Sequence, residues 1–247
     1  IRDSFGVEKK IDVPFYFSSS LLKRGLHEYS YSYGAIRTDF GLKNSRYRDH
    51  ALMFTHMYGV SNDFTSGLRG EAGSDFVNLG VSANIVLRKA GMFDAAIAGS
   101  MNNETGYAYS AGYSDNSRST GLWWRAAIRG NSRGYSNISL SEDQDRPKTE
   151  FIGSAGYSGQ RFGSISLFYT SADNYLSDGS KRTSLRYSKP VTRNLAFDIT
   201  ASNTYTKKNV NELFFSLRYT FSENTFGNFS YRTTKDDHSA AVNVQRM

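Results

Sequence analysis

Polar and apolar residues take turns one for one along most of this chain. Leu213, Phe215, Leu217, Tyr219 and Phe221 alternate with Phe214, Ser216, Arg218 and Thr220. Leu79, Val81, Ala83, Ile85 and Leu87 alternate with Asn78, Gly80, Ser82, Asn84 and Val86. The same beat runs through Leu195 to Ser202, through Leu122 to Arg129, and through Tyr29, Tyr31 and Tyr33 with Ser30, Ser32 and Gly34 between them. A period of two puts alternate side chains on opposite faces of an extended strand. Each run is about ten residues long, the length a tilted strand needs to cross a bilayer. A helix over Leu122–Arg129 would set Arg125 and Arg129 beside Trp124 and Ile128, a poor amphipathic stripe.

The connections between runs are of two kinds. Val60–Asp63, Lys89–Gly91, Ser158–Arg161, Pro190–Arg193 and Ser222–Asn224 are tight, whereas Thr38–Arg48, Asn131–Lys148, Ala172–Lys181 and Thr234–His238 are longer or more charged. Outer-membrane barrels have short turns at one rim and longer loops at the other, so the two kinds must alternate. A strand over Tyr135–Leu140 would place later tight turns on the wrong side. Asn131–Lys148 is therefore read as one long loop, which also keeps Glu142, Asp143 and Asp145 out of the membrane. The count is then about fourteen crossing strands between Glu28 and Met247. The fold class expected is all-β, a transmembrane antiparallel β-barrel, and a partial one.

Composition sharpens this. Only 38% of the 247 residues are hydrophobic and the mean hydropathy is −0.53, yet there are 17 Tyr and 17 Phe and only three Pro. A wall with one lipid face and one wet face averages to such a blend. No run approaches 18 apolar residues, so strands are the expected means of crossing. Cysteine is absent, which removes disulfide frameworks, thiolate metal sites and Cys nucleophiles, and suits passage through an oxidising periplasm. The net charge of +7 is spread over many segments with no dense basic run, which argues against nucleic acid. The chain starts at Ile1 without a basic or apolar leader and ends on strand-like Val244-Gln245-Arg246-Met247, so an internal piece of a longer protein is expected.

Charges at mid-strand positions are costly facing lipid and cheap facing water. Arg69, Glu71, Asn78, Asn84, Arg88, Arg125, Arg129, Arg186, Asp198, Arg218 and Arg232 are accordingly expected to line a wet lumen, where the simplest role is to solvate it and pair with one another. Trp123, Trp124 and the many Tyr residues suit interfacial girdles. The chemistry of a catalytic site is not evident. His27, His50, His56 and His238 share no metal-ligand spacing, and no nucleophile elbow or fixed carboxylate pair is present. Glu142-Asp143-Gln144-Asp145 lacks the spacing and glycine of a calcium loop. No enzyme activity, cofactor or metal is expected.

One segment carries more specific wording. Val13-Pro14-Phe15-Tyr16-Phe17 leads into Leu21-Leu22-Lys23-Arg24-Gly25-Leu26, and then into Glu28-Tyr29-Ser30-Tyr31-Ser32-Tyr33-Gly34-Ala35-Ile36-Arg37. This resembles the outer-membrane ushers of chaperone–usher pilus systems, and its Tyr-Ser-Tyr texture is similar to that of their archaic branch. The family-motif positions are Pro14, Phe15, Leu21, Leu22, Gly25, Leu26, Tyr29, Ser30, Gly34 and Arg37. In ushers this wording follows the plug domain that interrupts the barrel. Asp3–Glu8 resembles the link out of the plug, and Tyr58–Thr65 the next periplasmic turn. By that resemblance, residues 1–27 are the link and residues 28–247 an incomplete barrel segment, since a whole usher has about two dozen strands.

The resemblance implies residence in the outer membrane of a Gram-negative cell. It implies a pore that receives pilus subunits from periplasmic chaperone–subunit complexes, joins them and passes the fibre outward. It implies outer-membrane lipid as a partner and allows an usher dimer. A passive porin-type channel and an adhesin or autotransporter translocator are the competing readings. Fourteen strands alone would leave two unpaired edges and are expected to aggregate if made by themselves.

Overall fold

A computed structural model describes residues 21–37, 47–88, 90–117, 119–138, 140, 146–222 and 224–246. Pro14, Phe15 and the acidic run Glu142–Asp145 lie outside the described residues, as does the side chain of Arg37. The described chain is all β. Its strands are β1 (His27–Arg37), β2 (Tyr47–Gly59), β3 (Phe64–Ala72), β4 (Val77–Leu87), β5 (Gly91–Met101), β6 (Thr105–Asn116) and β7 (Leu122–Asn131). They continue with β8 (Pro147–Gly159), β9 (Gly163–Asn174), β10 (Ser180–Pro190), β11 (Leu195–Tyr205), β12 (Asn209–Ser222), β13 (Thr225–Thr234) and β14 (His238–Arg246). All fourteen belong to one sheet in chain order, β1 to β14. No helix among the described residues is long and apolar enough to cross a membrane, which says nothing of crossing by strands.

Register follows the alternation. Leu68 faces Val81 and Val81 faces Ile97, so one face of β3–β5 is an apolar row. On the other face Glu71 faces Asn78 and Asn78 faces Ser100. The same division holds farther along: Leu185 faces both Leu167 and Ala201, while Arg186 faces Ser166 and Thr200.

The chain divides into two compact units, Ile1–Ala111 with Arg129–Lys148, and Gly112–Ile128 with Thr149–Met247. In the first unit the usual order of burial is inverted. Leu79 is 53% exposed and Ile97 63%, whereas Glu71, Asn78 and Asn84 are at most 4% exposed. A water-soluble fold hides its apolar residues, so an exposed apolar face backed by a buried polar one is the pattern of a membrane wall. The small buried cluster of this unit is Ala96, Ala98, Ala108 and Tyr135, with Leu140 packed against it. In the second unit Leu167, Leu185, Leu213 and Val242 are exposed on the apolar face, while Ser184, Ser202 and Ser230 are buried on the other.

Tight backbone links fix the entry to β1. Gly25 N–H donates to Gly59 O at 2.8 Å, and Gly59 N–H to Leu26 O at 2.9 Å. Gly25 has φ +81°, a conformation that favours glycine and lets the Lys23–Leu26 turn close. A Cβ at Gly59 would overlap the carbonyl of Lys23, so the turn lies directly on the β2 end.

Candidate functional site

The polar face of the first unit carries the densest constellation. Arg69 and Glu71 sit two apart on β3 and so share a face. Arg69 Nε donates to Glu71 Oε1 at 3.1 Å, and the Glu71 side chain is 2% exposed. The other carboxylate oxygen accepts the backbone N–H of Ile138 at 2.9 Å. Asn78 Nδ2 donates to Ser136 O at 2.7 Å, and Ser136 N–H donates to Ser100 Oγ at 2.9 Å. Three neighbouring strands thus each supply a polar side chain to the backbone of one segment, residues 136–138. That segment belongs to the long connection between β7 and β8.

The connection therefore does not stand away from the wall but lies along it. Tyr135 is 1% exposed and Asn137 6%. Arg146 Nη1 donates to Arg133 O at 3.2 Å and also to Tyr135 O. Ser132 Oγ accepts the N–H of Tyr107, and Asn131 Nδ2 donates to Pro147 O at 3.2 Å. Gly106 on β6 makes the close approach feasible, because a Cβ there would overlap the backbone of Tyr135. Gly134 has the same role from the loop side, where a Cβ would press on Thr105 O. Burial raises the Tyr135 phenol above the ordinary tyrosine range, against hydrogen bonds from Asn78 and Asn137 that favour the phenolate.

The second unit has a more open polar face. Arg186 Nε donates to Asp198 Oδ1 at 3.0 Å, and Arg232 Nε to Glu212 Oε2 at 2.9 Å. The Arg218 guanidinium lies 4.6 Å from the centre of the Phe226 ring. Trp123 and Phe168 have ring centres 6.2 Å apart, and Gly156 leaves room for the indole, since a Cβ there would overlap it. Phe168 pairs with the buried Ser184, so this aromatic pair is on the polar face.

The expected wall residues fall as follows. Arg69, Glu71, Asn78 and Asn84 share the buried polar face of β3 and β4. Arg186, Asp198, Arg218 and Arg232 share the polar face of β10–β13, and Arg125 and Arg129 alternate with exposed Trp124 and Ile128 on β7. Arg88 is different. It lies in the turn after β4 and is clasped to Asp63 of the β2–β3 turn, Nη2 to Oδ2 at 2.8 Å. That hydrogen bond and the charge of Asp63 raise its pKa further. The girdle reading suits Trp124 but not Trp123, because consecutive strand residues face opposite ways. Glu212, Ser100, Tyr135 and Gly106 were not singled out by sequence. Glu212 was legible from the β12 alternation, but nothing local marks the other three.

No protein-family model and no curated protein matches this sequence. Solved structures do. The Escherichia coli P pilus tip assembly intermediate PapC-PapD-PapK-PapG, in its second conformation, matches over 91% of this chain and 30% of that one, with a TM-score of 0.74 and 16% identity. The P pilus usher (PapC) translocation pore matches over 91% and 48%, with a TM-score of 0.64 and 15% identity. A crystal structure of the PapC translocation pore matches over 92% and 60%, with a TM-score of 0.51 and 13% identity. The fold is that of the usher barrel. This chain spans about a third to three-fifths of the length of those usher chains. At this identity the usher likeness is one of backbone, and the fourteen-strand antiparallel sheet is its content.

Proposed function

We infer that this chain is part of the wall of an outer-membrane usher, a pore that assembles pilus subunits and passes them outward. The observation that carries the reading is the coincidence of two independent likenesses. The sheet matches usher pores over nine-tenths of its length, and the wording from Leu21 to Arg37, with its positive-φ Gly25, resembles the usher entry to the barrel. On this reading the apolar face meets lipid and the polar face lines the lumen. Arg125, Arg129, Arg186, Asp198, Arg218 and Arg232 then offer a wet, charged track to a folded subunit. Periplasmic chaperone–subunit complexes are the partners, and no bond chemistry is required of the chain.

The test is made with the full-length gene in cells lacking their own usher, supplied with the chaperone and subunits encoded beside it. Surface fibres that need the gene, and chaperone–subunit complexes that co-purify with its product, support the reading. Charge reversals at Arg125 and Arg129 should then slow fibre output. A product that admits small solutes but recruits no chaperone–subunit complex would establish a porin-type channel instead.

A further inference from the structure

Two histidines meet on the apolar face at the tightly pinned end of β1 and β2. His27 opens β1 and His56 lies on β2, diagonal neighbours in a register that pairs His27 with Tyr58 and Tyr29 with His56. His27 Nδ1 and His56 Nε2 are 2.9 Å apart. The far nitrogen of His56, Nδ1, is 3.0 Å from the Tyr31 hydroxyl. The His27 ring is also braced by Tyr58, with ring centres 4.7 Å apart. The backbone below them is held by the Gly25–Gly59 and Leu26–Gly59 hydrogen bonds, by Leu22 N–H to Thr65 Oγ1 at 2.8 Å, and by Arg24 N–H to Asn62 Oδ1 at 3.1 Å. The pair is thus preorganised on a pinned corner, and it is exposed.

We propose that His27 Nδ1 and His56 Nε2 form a two-histidine site for a divalent copper ion, with Tyr31 as its orienting neighbour. The separation is that of a hydrogen bond while a proton lies between the rings, and it also matches a right-angled chelate. Two metal–imidazole bonds of about 2.0–2.1 Å at a right angle put the nitrogens about 2.9 Å apart, while a tetrahedral angle needs about 3.3 Å. Right-angled nitrogen and oxygen donors are the preference of copper and nickel, and copper binds more tightly than its neighbours in the series. No third His, Cys, Asp or Glu joins the pair among the described residues, so water at the rim, where β1 begins and β2 ends, completes the coordination.

Protons fit as well. A copper-bound His56 Nε2 requires the proton of that ring on Nδ1, where the Tyr31 oxygen accepts it. Such an outer hydrogen bond fixes the tautomer and orientation of a ligating imidazole. The metal replaces the single proton that otherwise lies between the two rings. The site does not depend on the usher reading, since any barrel with this corner would carry it.

The experiment titrates copper(II) chloride into the untagged full-length protein that contains this chain, in detergent micelles, with heat-modified gel mobility checked for every variant. Calorimetry should give one tight equivalent, and low-temperature electron paramagnetic resonance should show a tetragonal signal split by two nitrogens. His27→Ala and His56→Ala should each weaken binding at least tenfold, and Tyr31→Phe about tenfold, the low end of such outer-shell effects. His50→Ala and His238→Ala should leave it unchanged. Should either His27→Ala or His56→Ala misfold, the nitrogen splitting of the unaltered chain decides. Binding unchanged in the two His variants, or a signal without two-nitrogen splitting, overturns the site.

Discussion

Ile138 donates its backbone N–H to Glu71 across 67 residues of chain, at 2.9 Å. The acceptor is a carboxylate with almost no solvent contact, and the donor belongs to a loop whose nominal place is outside the wall. This one bond converts a long connection into a lining, because it satisfies a buried charge and a loop amide together.

Removing the carboxylate should free that lining. Glu71→Ala takes the carboxylate from the half-buried Arg69 guanidinium and from the Ile138 N–H, and losing a hydrogen bond to a charged group costs about 1.5–3 kcal/mol. Amide exchange at residues 135–138 should rise by about one to two orders of magnitude while exchange in β10–β13 stays as it was. Glu71→Gln keeps an acceptor for Ile138 and should give a smaller rise.

Gly106 permits the contact sterically. Gly106→Ala should displace the loop and expose Tyr135 to solvent, seen as faster amide exchange at residues 135–138. Gly99→Ala is the matched control, since the nearest atom its Cβ would meet is Gly106 O at 4.0 Å. Equal behaviour of the two variants would refute the close approach.

Docking of the loop should weaken in alkali. Burial holds the Tyr135 phenol above the usual tyrosine pKa of 10.0. The docked form therefore keeps its proton at pH values where the undocked form loses it. The contribution is complete below about pH 10 and declines as the pH rises through the elevated value. Exchange of the 135–138 amides, corrected for its intrinsic pH dependence, should accelerate above about pH 10, and Tyr135→Phe should abolish that acceleration.

The apolar face can be probed at Ile97, mid-strand on β5 and 63% exposed. On a water-soluble surface Ile97→Arg would change stability by less than about 0.5 kcal/mol. At the midplane of a bilayer it should cost about 2–4 kcal/mol. Folding titrations in lipid vesicles distinguish the two, and a negligible cost would contradict a lipid-facing β5.

The strand count was legible because the alternation that sets it is local, whereas the expected alternation of tight and long connections holds only in part, since β3–β4, β5–β6, β11–β12 and β13–β14 are joined as tightly as the short turns. A period of two needs only neighbours in sequence, and a one-residue slip would turn every polar residue to the apolar face. The opposite orientations of Trp123 and Trp124 follow from the same rule, and grouping them as one girdle overlooked it. Arg88 read as a wall residue because its parity matches Asn78 and Asn84, but β4 ends at Leu87 and Asp63 draws Arg88 into the turn. The docked loop was beyond the sequence. Ser136 carries no sign that Asn78 and Ser100 will hold its backbone, since those bonds span 58 and 36 residues. Expecting Asn131–Lys148 to be one connection was sound, but its path along the wall is a tertiary outcome.

Arg69 and Glu71 are two residues apart on a single strand. Their union needs nothing but β3 in extended form, so it is independent of any distant segment. The second carboxylate oxygen serves the amide of Ile138. Undocking of the loop therefore leaves Glu71 with its cationic neighbour rather than as a bare charge, and the lining is separable from the wall that carries it.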